Sequence, residues 1–132
     1  MENWQKYYDE ANSYSKGAQG AFKKSRLGNQ VVYNLVSLAI ENYLTALCVS
    51  KNTLPEHSSI SSMIRQLKKY MDIPAGFTDE ARFLNKFMNF CSLEVLETID
   101  PSQEDLARML GFADDLKAFC DKELAIEQIS LN

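Results

Sequence analysis

The segment 31–49 limits the possible folds of this chain more than any other feature. It is apolar at fourteen of its nineteen positions, and Asn34, Ser37, Glu41 and Thr45 form a narrow polar line at steps of three and four. This spacing is typical of a helix. A helix that is apolar on most sides must be covered on most sides, so the segment predicts a central helix.

The rest of the chain also has helical spacing. Apolar residues at steps of three and four predict a first helix over about 3–26 and a third helix over 60–71. A fourth helix is predicted to start after the cap Thr78 and to run to Cys91. A fifth helix is predicted to be capped by Asp100 with Gln103 and to run to about 127. Five Gly and three Pro are too few for the turns of an all-β fold. Short connections make sequential helices antiparallel. We therefore expect one all-α domain over 1–132, an up-and-down antiparallel bundle of about five helices.

Charge and hydropathy exclude several classes of function. The formal net charge is −4, which disfavours bulk nucleic-acid binding. The longest apolar run is four residues, Ala46 to Val49, so we expect no membrane-spanning segment. The first ten residues have neither a basic start nor an apolar stretch, so we expect no secretory signal and a cytoplasmic location.

Three cysteines and the single histidine match the ligand count of a structural zinc site. In an antiparallel bundle, Cys48, His57 and Cys91 would lie near one end, whereas Cys120 would lie about 30 Å along the axis from them. No C-x-x-C pair is present. The sequence therefore predicts no metal and no cofactor, and buried free thiols instead.

The second helix carries a motif that resembles a known family. Residues 39–47 read AIENYLTAL, and His57 follows ten residues later. This resembles the A-x-E-x-x-L-x-A-L, short loop, P-x-H pattern of HEPN domains, which are helical bundles. Tyr7, Ala11, Tyr14 and Ala18 are similar to the opening helix of that family, and 104–124 is similar to its closing helix.

The resemblance also bears on catalysis. Active members of the family are metal-independent RNases with an Arg, four to six residues, and then a His. His57 is the only histidine, positions 50–52 before it are Ser, Lys and Asn, and 92–100 contains neither Arg nor His. The resemblance therefore implies a noncatalytic member that dimerises, binds a nucleotide or substrate, and serves a separate nucleotidyltransferase. The alternatives are an RNase of the HEPN type and a module that binds only protein.

Six residues are candidates for ligand or partner binding: Glu41, Thr45, His57, Lys23, Lys24 and Arg26. Glu41 and Thr45 either belong to a solvent-exposed or interhelical polar line or border a polar groove at an interface. His57 either anchors its loop or acts in function. Lys23, Lys24 and Arg26, with Lys16, form either a solvated basic face at a helix end or a phosphate site.

Three aromatic residues fall off the predicted core stripes: Tyr8, Tyr33 and Phe83. Exposed aromatic side chains are enriched at protein interfaces. We therefore expect these three residues at a surface of self-association.

Overall fold

A computed structural model describes residues 3–24, 28–56, 59–87 and 100–131, and the side chains within 126–131 are left aside. The described chain forms five helices and no strand: α1 (Trp4–Lys24), α2 (Asn29–Ser50), α3 (Ile60–Leu67), α4 (Ala75–Asn85) and α5 (Gln103–Leu131). This confirms the prediction of an all-α bundle of five helices.

The central position predicted for the second helix is confirmed. The residues of α2 that face the other helices, among them Ile40, Tyr43 and Leu47, have no exposed surface. By length and composition α2 could also cross a membrane, a property that the count of uninterrupted apolar residues did not reveal. In this structure 61% of that apolar window is buried, so packing in the core accounts for its hydropathy.

Side-chain contacts establish the directions of the longest helices. The Tyr43 hydroxyl bonds Asn12, and Leu35 lies beside Gly17, so α1 is antiparallel to α2. Asn29, at the start of α2, bonds the carbonyl of Pro101 just before α5. The helices α2 and α5 therefore run parallel, with α1 packed across both.

This arrangement corrects the expected position of Cys120. Its thiol lies 3.6 Å from the carbonyl oxygen of Tyr43, which is only five residues, or about 7.5 Å of helix, from Cys48. The predicted separation of about 30 Å between Cys48 and Cys120 is wrong. The predicted cluster also included His57 and Cys91, which lie outside the described residues.

The predicted boundaries of α3 and α4 are also wrong. The helix α3 ends at Leu67 rather than near Met71, and 68–70 forms a turn. The helix α4 begins at Ala75 with Pro74 at its N-cap position, where the backbone is not yet helical and the missing N–H of proline costs no intrahelical hydrogen bond. Thr78, predicted as the cap, lies inside α4, where its hydroxyl accepts a hydrogen bond from Lys68.

The start of α5 carries a different cap from the one predicted. The Ser102 hydroxyl accepts the Asp105 amide at 3.1 Å, and the Asp105 carboxylate accepts the Ser102 amide at 2.9 Å. These reciprocal bonds form a capping box at Ser102 and Asp105, so the predicted box at Asp100 and Gln103 is wrong. The helix itself continues to Leu131, four residues beyond its expected end.

Two of the three aromatic residues expected at the surface are buried. Tyr33 is 5% exposed and Phe83 is 7% exposed, because both pack against Phe87 after α4. The guanidinium of Arg108 lies 4.0 Å from the Phe83 ring centroid and pairs with Glu80, which joins α4 to α5. Only Tyr8 remains partly exposed.

Candidate functional site

A groove of about 500 Å³ lies beside the second half of α2. Its walls come from α1, α2 and the loop after α2, and its lining residues are Tyr7, Leu38, Glu41, Asn42, Thr45, Leu54 and Pro55. The structure therefore brings together two of the predicted candidates, Glu41 and Thr45. Among the described residues, the lining has one carboxylate and no basic side chain.

Local hydrogen bonds hold the α2 side of this groove. The Thr45 hydroxyl donates to the Glu41 carbonyl at 2.8 Å, and the Asn42 amide donates to the Leu38 carbonyl at 2.8 Å. Thr45 is only 6% exposed and lies at the bottom, whereas Leu54 is 87% exposed and stands at the rim. The described lining of the groove is therefore made mostly of apolar side chains and the amide of Asn42, with Glu41 as its charged residue.

The groove continues into a stripe along the open face of α2, which we call the α2 stripe. Its residues are Val31, Asn34, Leu38, Asn42 and Thr45, and at 100° per residue they fall within about 80° of each other around the helix. The steps between them are three, four, four and three. The stripe is therefore symmetric in spacing about Leu38, with amides four residues away on each side.

The α2 stripe differs from the polar line predicted from sequence. Ser37 belongs to that predicted line, but its hydroxyl is buried. Val31 and Leu38, which belong to the stripe, are each 39% exposed although apolar. The line of polar residues could be found in the sequence, whereas the two exposed apolar residues could be found only after the neighbouring helices were placed.

Two of the other predicted candidates, Lys23 and Lys24, do not join Glu41 and Thr45. Lys23 and Lys24 are exposed in the last turn of α1. Tyr7, which lines the groove, is sixteen residues before Lys23, a distance of about 24 Å along the helix. His57 and Arg26 lie outside the described residues.

A second cavity, of about 300 Å³, lies between α1 and α5 with α2 beneath it, and we call it the α1–α5 cleft. It is lined by Asn12, Ser15, Lys16, Gln19, Tyr43, Asp114 and Lys117. Polar bridges cross between α1 and α5 on either side of Asn12 and Ser15. On one side, Tyr8 and Lys117 both bond Asp121; on the other, the Gln19 amide donates to Asp114 at 3.2 Å.

Electrostatics in the α1–α5 cleft follow from burial and these bonds. Burial raises the pKa of Tyr43, whose hydroxyl donates to Asn12 at 2.6 Å. Partial burial of Asp121 favours its neutral form, but the hydrogen bonds from Tyr8 and Lys117 outweigh it and lower the pKa of Asp121. The sequence did not predict that these polar residues share a cleft, because they lie far apart in sequence and belong to different helices.

The two described thiols are buried and protonated near neutral pH. Cys48 and Cys120 are free and buried. Burial raises the pKa of Cys48 to about 11 and also raises the pKa of Cys120, so both stay protonated near neutral pH. Within the described residues, no three His, Cys, Asp or Glu side chains are close enough together to hold a metal ion.

Comparisons with known proteins identify the fold. No family model and no curated protein matches the chain. It is similar to an HEPN domain protein of Thermotoga maritima, with a TM-score of 0.72 and 18% identity over 90% of this chain and 97% of that one. It is also similar to a protein of Thermus thermophilus, with a TM-score of 0.76 and 17% identity over 92% and 98% of the two chains. The chain therefore has an HEPN-like fold.

Proposed function

We propose that this chain is a cytoplasmic, noncatalytic assembly module that pairs with a second copy of itself through the α2 stripe and supports a separate nucleotidyltransferase. The observation that carries the pairing is the symmetric spacing of the stripe about Leu38. In a two-fold interface the same surface is used by both copies, so the surface must be complementary to itself.

Antiparallel packing of two α2 helices about Leu38 meets this requirement. Residues at equal distances from Leu38 then oppose each other: Asn34 faces Asn42 of the second copy, and Val31 faces Thr45. An amide side chain both donates and accepts hydrogen bonds, so the two asparagines can bond each other. Val31 would enter the groove above Thr45, which would bury two apolar side chains that are now 39% exposed, Val31 and Leu38.

Charge also favours a second copy as the occupant. Among the described residues of the groove lining, Glu41 is the only charged side chain, and depletion of charge is characteristic of the buried centre of protein interfaces. In the antiparallel register Glu41 faces Leu35, so the two glutamates lie about 9 Å apart along the axis. A groove with a carboxylate and no described basic residue favours protein over a phosphate-bearing ligand.

Sedimentation equilibrium with matched variants tests the pairing. We expect the wild-type chain to have twice its monomer mass of 15.0 kDa at micromolar concentration. Leu38→Glu should reduce the mass to that of the monomer, because it places two carboxylates at the two-fold axis. Ala118→Glu adds the same charge on the exposed side of α5 and should remain dimeric. A monomeric wild type, or a dimeric Leu38→Glu, contradicts the proposal.

The noncatalytic, accessory part of the proposal is supported by the sequence pattern. The histidine required by the RNase motif lacks the preceding arginine. We expect no cleavage of structured or unstructured RNA by the purified chain, and cleavage that His57→Ala abolishes would overturn this part. We also expect co-elution of the chain with a minimal nucleotidyltransferase of its host after co-expression, and separate elution would contradict the accessory role.

A further inference from the structure

We propose that the α1–α5 cleft binds a small molecule through a carboxylate or phosphate group. The cleft is a built cavity, because the side-chain bridges from Tyr8 to Asp121 and from Gln19 to Asp114 join its two long walls. Beneath them lies Tyr43, which has no exposed surface and is held by Asn12. A volume of about 300 Å³ is at the lower end of the range for ligand pockets, so the ligand is small.

Hydrogen-bond donors face the cleft from both walls. On α1, the Lys16 ammonium has no hydrogen bond or ion pair with any other described residue, and the amide nitrogen of Asn12 is equally unused. On α5, the Lys117 ammonium bonds Asp121 and Tyr8, and it carries a third N–H. An oxyanion between the walls can therefore accept bonds from two ammonium groups.

The carboxylates near the cleft already accept hydrogen bonds from protein donors. Asp114 accepts a hydrogen bond from Gln19, and Asp121 accepts bonds from Tyr8 and Lys117. Asp114 keeps its negative charge because its partner is a neutral amide, whereas Lys16 is the ammonium group in the described lining that has no partner. An anion bound beside Lys16 is therefore complementary to that ammonium group. The net charge of −4 disfavours an extended polyanion and is compatible with one small acid group.

This site is independent of the proposed pairing through the α2 stripe. Tyr43 lies about 140° around α2 from Leu38, so the two surfaces are on opposite sides of the helix. The monomeric Leu38→Glu variant should therefore bind the same anions as the wild type. Failure of the pairing and failure of the cleft proposal can thus be distinguished.

Titration by two-dimensional NMR tests the cleft with two probes, inorganic phosphate and acetate, against sodium chloride at equal ionic strength. We expect saturable shifts of amide signals on α1 and α5 with at least one probe and a Kd of about 1 mM. Shifts with phosphate alone identify a phosphate ligand, and shifts with acetate alone identify a carboxylate. The absence of saturable shifts with both overturns the proposal.

Matched lysine variants test whether the binding is local. Lys16→Gln should raise the Kd about tenfold because it removes the unpaired ammonium. Lys23→Gln removes the same charge from the same helix, at an exposed position outside the cleft, and should leave the Kd unchanged. Equal weakening by the two substitutions would assign the binding to overall charge and refute the cleft.

Discussion

Replacement of the buried phenol of Tyr43 tests how a hydrogen bond joins α1 to α2. Tyr43→Phe removes a hydroxyl that donates to Asn12 at 2.6 Å and keeps the ring that packs edge-on against Tyr8. The lost bond is worth about 1 kcal/mol, and Asn12 loses a partner in a half-buried position. Since Asn12 borders the cleft, water can partly replace the hydroxyl. We expect a loss of about 1.5 kcal/mol in the free energy of unfolding.

The assay is urea unfolding followed by circular dichroism at one protein concentration, since the proposed dimerisation would make the stability depend on concentration. A double-mutant cycle with Asn12→Ala should give a coupling energy of about 1 kcal/mol. Tyr70→Phe is the matched control: its hydroxyl bonds no described residue and the side chain is 49% exposed, so its effect should stay below about 0.3 kcal/mol. A Tyr43→Phe loss as small as that of the control, or a coupling near zero, would refute the reasoning.

Three other substitutions have expected outcomes in the same unfolding assay. Ser102→Ala removes one half of the α5 capping box and should cost about 1 kcal/mol; an unchanged midpoint would mean that the cap is not used. Gly20→Ala should stabilise α1 by up to about 1 kcal/mol, because a methyl group there meets no atom within 4 Å, and destabilisation would contradict this packing. Asp121 has a lowered pKa in the folded state, so its ionised form stabilises the fold above about pH 4 and this contribution is lost as the pH falls further. The stability difference between wild type and Asp121→Asn should therefore shrink on acidification, and a difference independent of pH would argue against the bridge to Tyr8 and Lys117.

Helical periodicity accounts for the parts of the fold that could be predicted. The bounds of α1 and α2 were expected within a few residues, because each apolar face repeats over five or more turns. The boundary between α3 and α4 was not, since Pro74 can either end one helix or begin the next. The capping box at Ser102 was not predicted because Asp100, two residues earlier, is also of a residue type favoured at helix N-caps.

The sequence did not predict which side chains are buried or which residues meet, because it does not give the direction of each helix or the neighbour that packs against it. A single helix pattern does not indicate which neighbour covers it, so Tyr33 and Phe83 were expected outside and are inside. In the same way, the parallel course of α2 and α5 brought Cys120 close to Tyr43. The predicted pair Glu41 and Thr45 shares a groove because both lie on α2, one helical turn apart.

Disulfide trapping tests the central claim, that two copies pair through the α2 stripe, most directly. In a Cys91→Ser background, Leu38→Cys places a thiol at the proposed two-fold axis, where the two copies of the residue meet and a disulfide can form. The matched control, Ala118→Cys, lies on the exposed side of α5. Under mild oxidation we predict a covalent dimer of Leu38→Cys at low micromolar concentration and none of Ala118→Cys. No covalent dimer of Leu38→Cys, or equal trapping of both variants, would contradict the claim.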